Sequence, residues 1–286
     1  MDGRRRVLSA AAIDWAQPWL APYRAWGEPV ARQAQFASVP AGVRAPDPPS
    51  VSVAEALQGV AGADVPHFVP HDRMPPGDAY EVHIFRTGQV PTRNNLHDFF
   101  NGLVWLHRPA AKRRLNQLQA EEIARSGVGA TRGPLRDALT LFDENGAVLD
   151  APPALWEALI ARDWHRLFVV ERALWRDATL LVFGHALLEK LTSPRKAATA
   201  HVLLTPPASA PSWRNDGASV PDAALAALLD PTWLATKPFV PLPVLGVPGW
   251  WPENENISFY DERHVFRPRR ALQESITTRP LRHRDA

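Results

Sequence analysis

The chain has 286 residues, of which 45% are hydrophobic and 22% charged, with a formal net charge of +2. It has no cysteine, which excludes disulfides, thiolate metal sites and a cysteine nucleophile. Only Lys112, Lys190, Lys196 and Lys237 are lysines among 32 basic residues, an arginine bias that reads as genome composition before it reads as a nucleic-acid surface.

Arg4, Arg5 and Arg6 precede a short apolar run, Val7 to Ile13, which Asp14 interrupts. Neither a signal peptide nor a membrane span is expected, and the cytoplasm is the expected compartment. Trp15, Trp19, Tyr23 and Trp26 recur every three or four residues between prolines, predicting short helical turns that lay aromatic rings on the body of the protein. Four prolines make residues 38–50 an irregular connection. Val51 to Gln58 reads as a short helix capped by Ser50 or Ser52 and stopped by Gly59.

Tyr80 to Phe85 alternates and is rich in β-formers, so a strand is predicted there. Asn95 caps a helix to about Arg108, and Pro109 opens a second that runs to about Arg125. The apolar runs on either side of Asp143-Glu-Asn-Gly146 predict a hairpin, with Asp143 and Glu144 as turn residues. A helix follows from Pro152 or Pro153 to about Arg162. Thr179–Phe183 reads as a buried strand and Thr199–Leu204 as a further strand, with a helix from His185 to Leu191 between them and another at Ala223–Leu229. Pro206 to Pro211 is a loop. From Pro231 onward, prolines and Trp233, Trp250 and Trp251 predict an extended wrap over the surface. The expected fold is α+β: a single domain over 1–286 with a small, mainly antiparallel sheet packed by helices. The strands near Leu181 and Val202 are expected at its centre, and residues 268–286 form a basic, poorly ordered tail.

On the helix after Asn94, Leu96, Phe99, Phe100, Leu103, Leu106 and His107 form a core stripe. The opposite side gathers Asn94, His97, Asp98, Asn101, Trp105 and Arg108. Asn and Asp are poor helix formers and Trp is ill suited to water, so this face belongs either in a cleft or at a helix crossing. His185 and Glu189 share a helix face four residues apart, with Lys190 adjacent, and could ligate a metal or form an oriented pair. Asp137 would be a third ligand if its segment enters the same cleft; otherwise it pairs with Arg136. His97, Asp98 and His185 are the candidate catalytic groups, and Arg93, Asn94, Asn101, Trp105, Lys190, Trp250 and Trp251 the candidate ligand contacts. The two indoles serve either as packing or as a lid. The imidazoles of His97 and His185 are expected within about 10 Å of each other across one polar pocket, because both lie near helix starts.

Four segments together resemble a known family. They are residues 92–106 (TRNNLHDFFNGLVWL), 136–146 (RDALTLFDENG), 184–190 (GHALLEK) and 241–254 (PLPVLGVPGWWPEN). In order, they are similar to the proteobacterial domain of unknown function 3025 (DUF3025), over roughly residues 15–267. The resemblance implies no reaction, and Gly102 stands where the family would carry alanine. Three readings remain. The first is a divalent-metal hydrolase acting on phosphoesters, one version being a ββα-metal arrangement around His83, Asn95 and Asn101. The second is a protein that binds a small molecule or partner without chemistry. The third, and weakest, is a nucleic-acid accessory protein using the arginine-rich tail. No glycine-rich nucleotide loop, HExxH or GxSxG pattern occurs, so no nucleotide cofactor is expected.

Overall fold

The computed structural model describes residues 13–34, 51–127, 133–205 and 220–269. The connections expected at 38–50 and 206–211 lie outside these, as does nearly all of the expected tail. A proline-opened 3-10 turn, Pro18–Tyr23, runs into α1 (Arg24–Gln33) and buries Trp19 and Tyr23. The start of α2 (Val53–Gln58) is a capping box. The Ser52 hydroxyl accepts the Glu55 N–H, and the Glu55 carboxylate accepts the Ser52 N–H.

β1 (His67–Pro70) pairs in parallel with β2 (Gln89–Thr92), and between them lies α3 (Tyr80–Thr87), where a strand was expected. Alternation fails here because the buried pair, His83 and Ile84, is adjacent in sequence while Phe85 is exposed. Gly88, at φ 65°, ends the helix in the left-handed region. Tertiary packing decides it: α3 lies against α5 (Pro109–Ser126), and the Asn116 amide donates to the Glu81 carbonyl.

α4 (Leu96–His107) starts as expected at Asn95, whose side chain accepts the Asp98 N–H at 2.7 Å. Both its faces are covered, and Asp98, Asn101, Trp105 and Arg108 are all buried. The expected hairpin is absent. α6 (Pro134–Asn145) runs straight into β3 (Gly146–Asp150). Leu135, Ala138, Leu139 and Phe142 lie at helical spacing behind Pro134, and this apolar stripe outweighs the local turn preference of Asn145-Gly146. Gly146 acts instead where the chain leaves the helix, since a Cβ there would lie 2.3 Å from the Phe142 carbonyl oxygen.

The remaining elements are α7 (Pro153–Ala161), β4 (Thr179–Val182), α8 (His185–Lys190), β5 (Thr199–Leu203), α9 (Asp222–Leu228), α10 (Pro231–Ala235) and β6 (Phe239–Pro243). The sheet has the order β4-β3-β5-β6. β3/β4 and β5/β6 are antiparallel, and β3/β5 is parallel. This is the small, mainly antiparallel sheet expected, with two corrections. β4, which carries Leu181, is an edge strand, because β3 already pairs with β5 on its other side. Part of the C-terminal wrap is the other edge strand, β6, whose Val240 and Leu242 point into the core. Buried side chains from Ile13 to Phe266 form one connected cluster. No described helix is long and apolar enough to cross a membrane.

Candidate metal centre

Three helices deliver the site. His97 stands in the first turn of α4, Glu144 in the last turn of α6, and His185 at the start of α8, which packs against both. The two imidazoles meet Nε2 to Nε2 at 3.1 Å, with ring centroids 4.5 Å apart, well inside the separation expected from sequence. A Glu144 carboxylate oxygen lies 3.8 Å from His185 Nε2. One ligand atom from each of His97, Glu144 and His185 falls within 4.8 Å of the others. Two imidazole nitrogens on a tetrahedral ion lie about 3.3 Å apart, so the His97–His185 and His185–Glu144 separations are each within about half an ångström of what a divalent ion requires.

Behind each histidine stands a carboxylate. Glu189 Oε2 is 3.1 Å from His97 Nδ1, and Asp143 Oδ2 is 3.9 Å from His185 Nδ1. That Nδ1 is buried and has no hydrogen-bond partner. A carboxylate behind each ligating imidazole is the usual means of fixing its tautomer and aim. Asp143 is held in turn by the buried Lys112, whose Nζ donates to Asp143 Oδ1 at 2.5 Å and to Asn101 Oδ1 at 2.8 Å.

The electrostatics separate the two imidazoles. Burial pushes His185 down to about 4, so it is neutral at pH 7. The hydrogen bond to Glu189 raises His97 above its ordinary value, against the opposing effect of burial. Burial and the neighbouring Asp143 raise Glu144. Burial alone would raise Asp143 too, but Lys112 and His185 hold it below the usual carboxylate range. Beside Glu144 opens a polar cavity of about 170 Å³ lined by Glu81, Gln119, Arg136, Thr140, Asp143 and Glu144. Glu81 is pushed up to about 7, first by burial and then by Asp143.

Gly184 sets the closeness of α8 to α6. A Cβ there would lie 2.5 Å from the Asn145 N and Cα and from the Glu144 carbonyl oxygen, which are backbone atoms that cannot rotate aside. Gly184→Ala should therefore push His185 away from Glu144. We expect a loss of stability of about 1–3 kcal/mol in urea titration together with weakened Zn²⁺ binding. An alanine variant with both properties unchanged would show that the approach does not matter.

Other sequence candidates are placed elsewhere. Asp137 cannot be a third ligand: it sits in the first turn of α6, about 10 Å of helix rise from Glu144, and pairs with Lys237 at 3.2 Å. Glu189 orients His97 and is not in the ligand group. The Asp98 carboxylate accepts the Arg93 N–H, and the Asn94 side chain accepts the Val53 N–H at the start of α2. Asn101 joins Lys112 and Tyr80, and Trp105 lies under Lys112 facing a cleft lined by Asp64 and Asn116. Most of the polar face of α4 thus serves a helix crossing, and His97 is the member that meets His185 and Glu189. The Arg93 guanidinium approaches His71, and Lys190 donates to Asn145 Oδ1. Trp250 packs on Trp19, and Trp251 lies partly buried against the core. His83, the base of the ββα alternative, sits on a helix and faces Asp78 at 3.3 Å, so that strand–helix geometry is not formed. Glu144 carries no ligand signal in the sequence, because Asp143 to Gly146 reads locally as a turn. The helical spacing of Leu135, Ala138, Leu139 and Phe142 was the available signal.

A family model described as a protein of unknown function, DUF3025, matches residues 66–270. No curated protein and no solved structure matches the chain.

Proposed function

The chain belongs to the DUF3025 family, and since that family prescribes no reaction we propose from its own residues that it is a divalent-metal-dependent hydrolase of phosphoesters. The observation that carries this reading is the ligand group His97, Glu144 and His185, with a carboxylate behind each histidine. Two imidazoles and one carboxylate suit a catalytic zinc-type ion, which leaves a position for water. Such an ion would supply Lewis acidity and a water of lowered pKa. The protein's own groups would do the rest. Glu189, hydrogen-bonded to His97, orients that imidazole, and Asp143 places a negative charge 3.9 Å behind His185. Arg136 offers a guanidinium to an anionic oxygen in the adjoining cavity, and Glu81, poised near neutrality, can pass a proton to a leaving alcohol.

The test is direct. Purified protein is stripped with chelator, titrated with Zn²⁺ and Mn²⁺ by calorimetry, and assayed on aryl phosphomonoesters and phosphodiesters. The proposal expects one ion per chain and hydrolysis that requires it. Stoichiometric metal without hydrolysis of any ester would instead make this a binding protein, and no metal uptake would end the reading.

Proton competition adds a second test. Zn²⁺ must displace the proton of His97, whose pKa is raised, whereas His185 is already neutral. Apparent affinity should therefore fall about tenfold per unit as pH drops below the His97 pKa. Glu189→Gln, which removes the raising interaction, should shift that fall to lower pH. A pH-independent affinity in both proteins would contradict the assignment of His97 as a ligand.

A further inference from the structure

Away from the histidine pair, a cavity of about 360 Å³ lies where the α7 exit, the start of β5, the end of β6 and the segment after Glu262 come together. Its charged lining is entirely basic, consisting of Arg162 and Arg267, and its remaining walls include Trp164, Pro241, Pro243, His264 and Val265. Other basic groups nearby are neutralised: Lys196 pairs with Glu262, and Arg166 with Glu157 and Glu171. Arg162 and Arg267 have no carboxylate partner among the described residues. Arg267 spends its Nε on the His264 carbonyl, which leaves its terminal nitrogens available.

Two further features argue that the cavity is built and not left over. The Trp164 indole donates to the Arg267 carbonyl at 2.8 Å, fastening the C-terminal segment to the α7 exit across the cavity. Arg162 holds φ 54° and ψ 36°, in the left-handed region, where a helix end normally places glycine. A non-glycine residue there costs about 1 kcal/mol. The guanidinium is thus presented at a conformational cost that glycine would avoid, a pattern associated with binding positions.

We propose that this cavity binds a small organic phosphate, its phosphate held by the Arg162 and Arg267 guanidiniums and its apolar body seated on Pro241, Pro243 and Val265. Planar guanidiniums match a phosphate's oxygens in pairs, and two of them outbid hydration where one exposed arginine does not. The apolar walls separate this ligand class from inorganic phosphate. The site is independent of the metal centre and does not rest on the hydrolase reading.

The experiment is calorimetric titration of the full chain with phenyl phosphate, in 0.15 M salt and with EDTA present to keep phosphate off any metal at the histidines. The proposal expects a saturable one-to-one isotherm, with inorganic phosphate clearly weaker. Arg162→Gly should weaken phenyl phosphate at least about tenfold while its thermal midpoint stays the same or rises, because glycine relieves the backbone. Arg267→Gln should weaken binding similarly. Three outcomes would overturn the proposal. These are Arg162→Gly binding as well as the parent, inorganic phosphate binding as tightly as phenyl phosphate, and binding that disappears at 0.15 M salt as a diffuse surface effect would.

Discussion

His185→Gln will abolish high-affinity Zn²⁺ binding, with a loss of at least about a hundredfold, while the protein remains folded. The size follows from the geometry. His185 supplies one of three converging ligand atoms, and even altering the carboxylate behind a ligating histidine costs about 10–100-fold in affinity. The mildness toward folding follows from the surroundings of the ring, since His185 Nδ1 makes no hydrogen bond, and a glutamine amide nearly fills the same volume and can replace the Nε2 bond to His97. His97→Gln should match it in metal affinity, and Glu189→Gln should fall between that variant and wild type. Calorimetry with Zn²⁺ gives the affinities, and circular dichroism melts report the fold. If His185→Gln binds Zn²⁺ like the parent, the histidine pair is a structural hydrogen bond and the metal centre does not exist.

Lys112→Met will destabilise the protein by about 3–5 kcal/mol, the usual consequence of leaving a buried charge without its partner. Lys112 and Asp143 have side-chain exposures of 5% and 12%, and Lys112 also satisfies Asn101 and lies 5.4 Å over the Trp105 ring. It therefore ties α5 to α4 and α6 at one point, immediately behind Glu144. In the variant, the largest interaction opposing burial at Asp143 is gone, so its carboxyl moves up and the loss shrinks as pH falls and Asp143 protonates. Lys112→Met/Asp143→Leu removes both charges and should recover much of the loss, because the desolvation cost disappears with them. Urea titrations at pH 7 and pH 5 measure all of this. A loss under about 1 kcal/mol for the single variant, far below the range for broken buried pairs, would show that the pair is solvated. A double variant no better than the single would show that the bond, not the stranded charge, carries the stability.

The two cases also show which parts of the site could be read in advance. His97 and His185 stood out because each follows a local helix-start signal, Asn95 in one case and a strand ending at Gly184 in the other. Lys112 did not stand out. One lysine in an arginine-rich chain carries no positional signal, and its importance comes from partners 11 and 31 residues away. Glu189 was visible as the helical neighbour of His185, yet its role is toward His97, 92 residues distant.

By itself the sequence determined whatever depends on a few adjacent residues. The Ser52–Glu55 box starts α2, Asn95 starts α4, and Pro109 and Pro153 stand at first helical positions, because caps and proline act within one turn. Family membership was legible for the same reason, as four contiguous segments. Only the tertiary structure decided the elements whose local preferences conflicted. Tyr80–Phe85 satisfies a strand pattern alone but becomes helix against α5. Asp143–Gly146 satisfies a turn pattern alone but ends α6. Local propensities amount to tenths of a kcal/mol per residue, and burying an apolar helix face contributes several times that. The candidate metal-ligand group belongs to this second class, since Glu144 joins the histidines only once α6 is a helix and Gly184 lets α8 lie against its end.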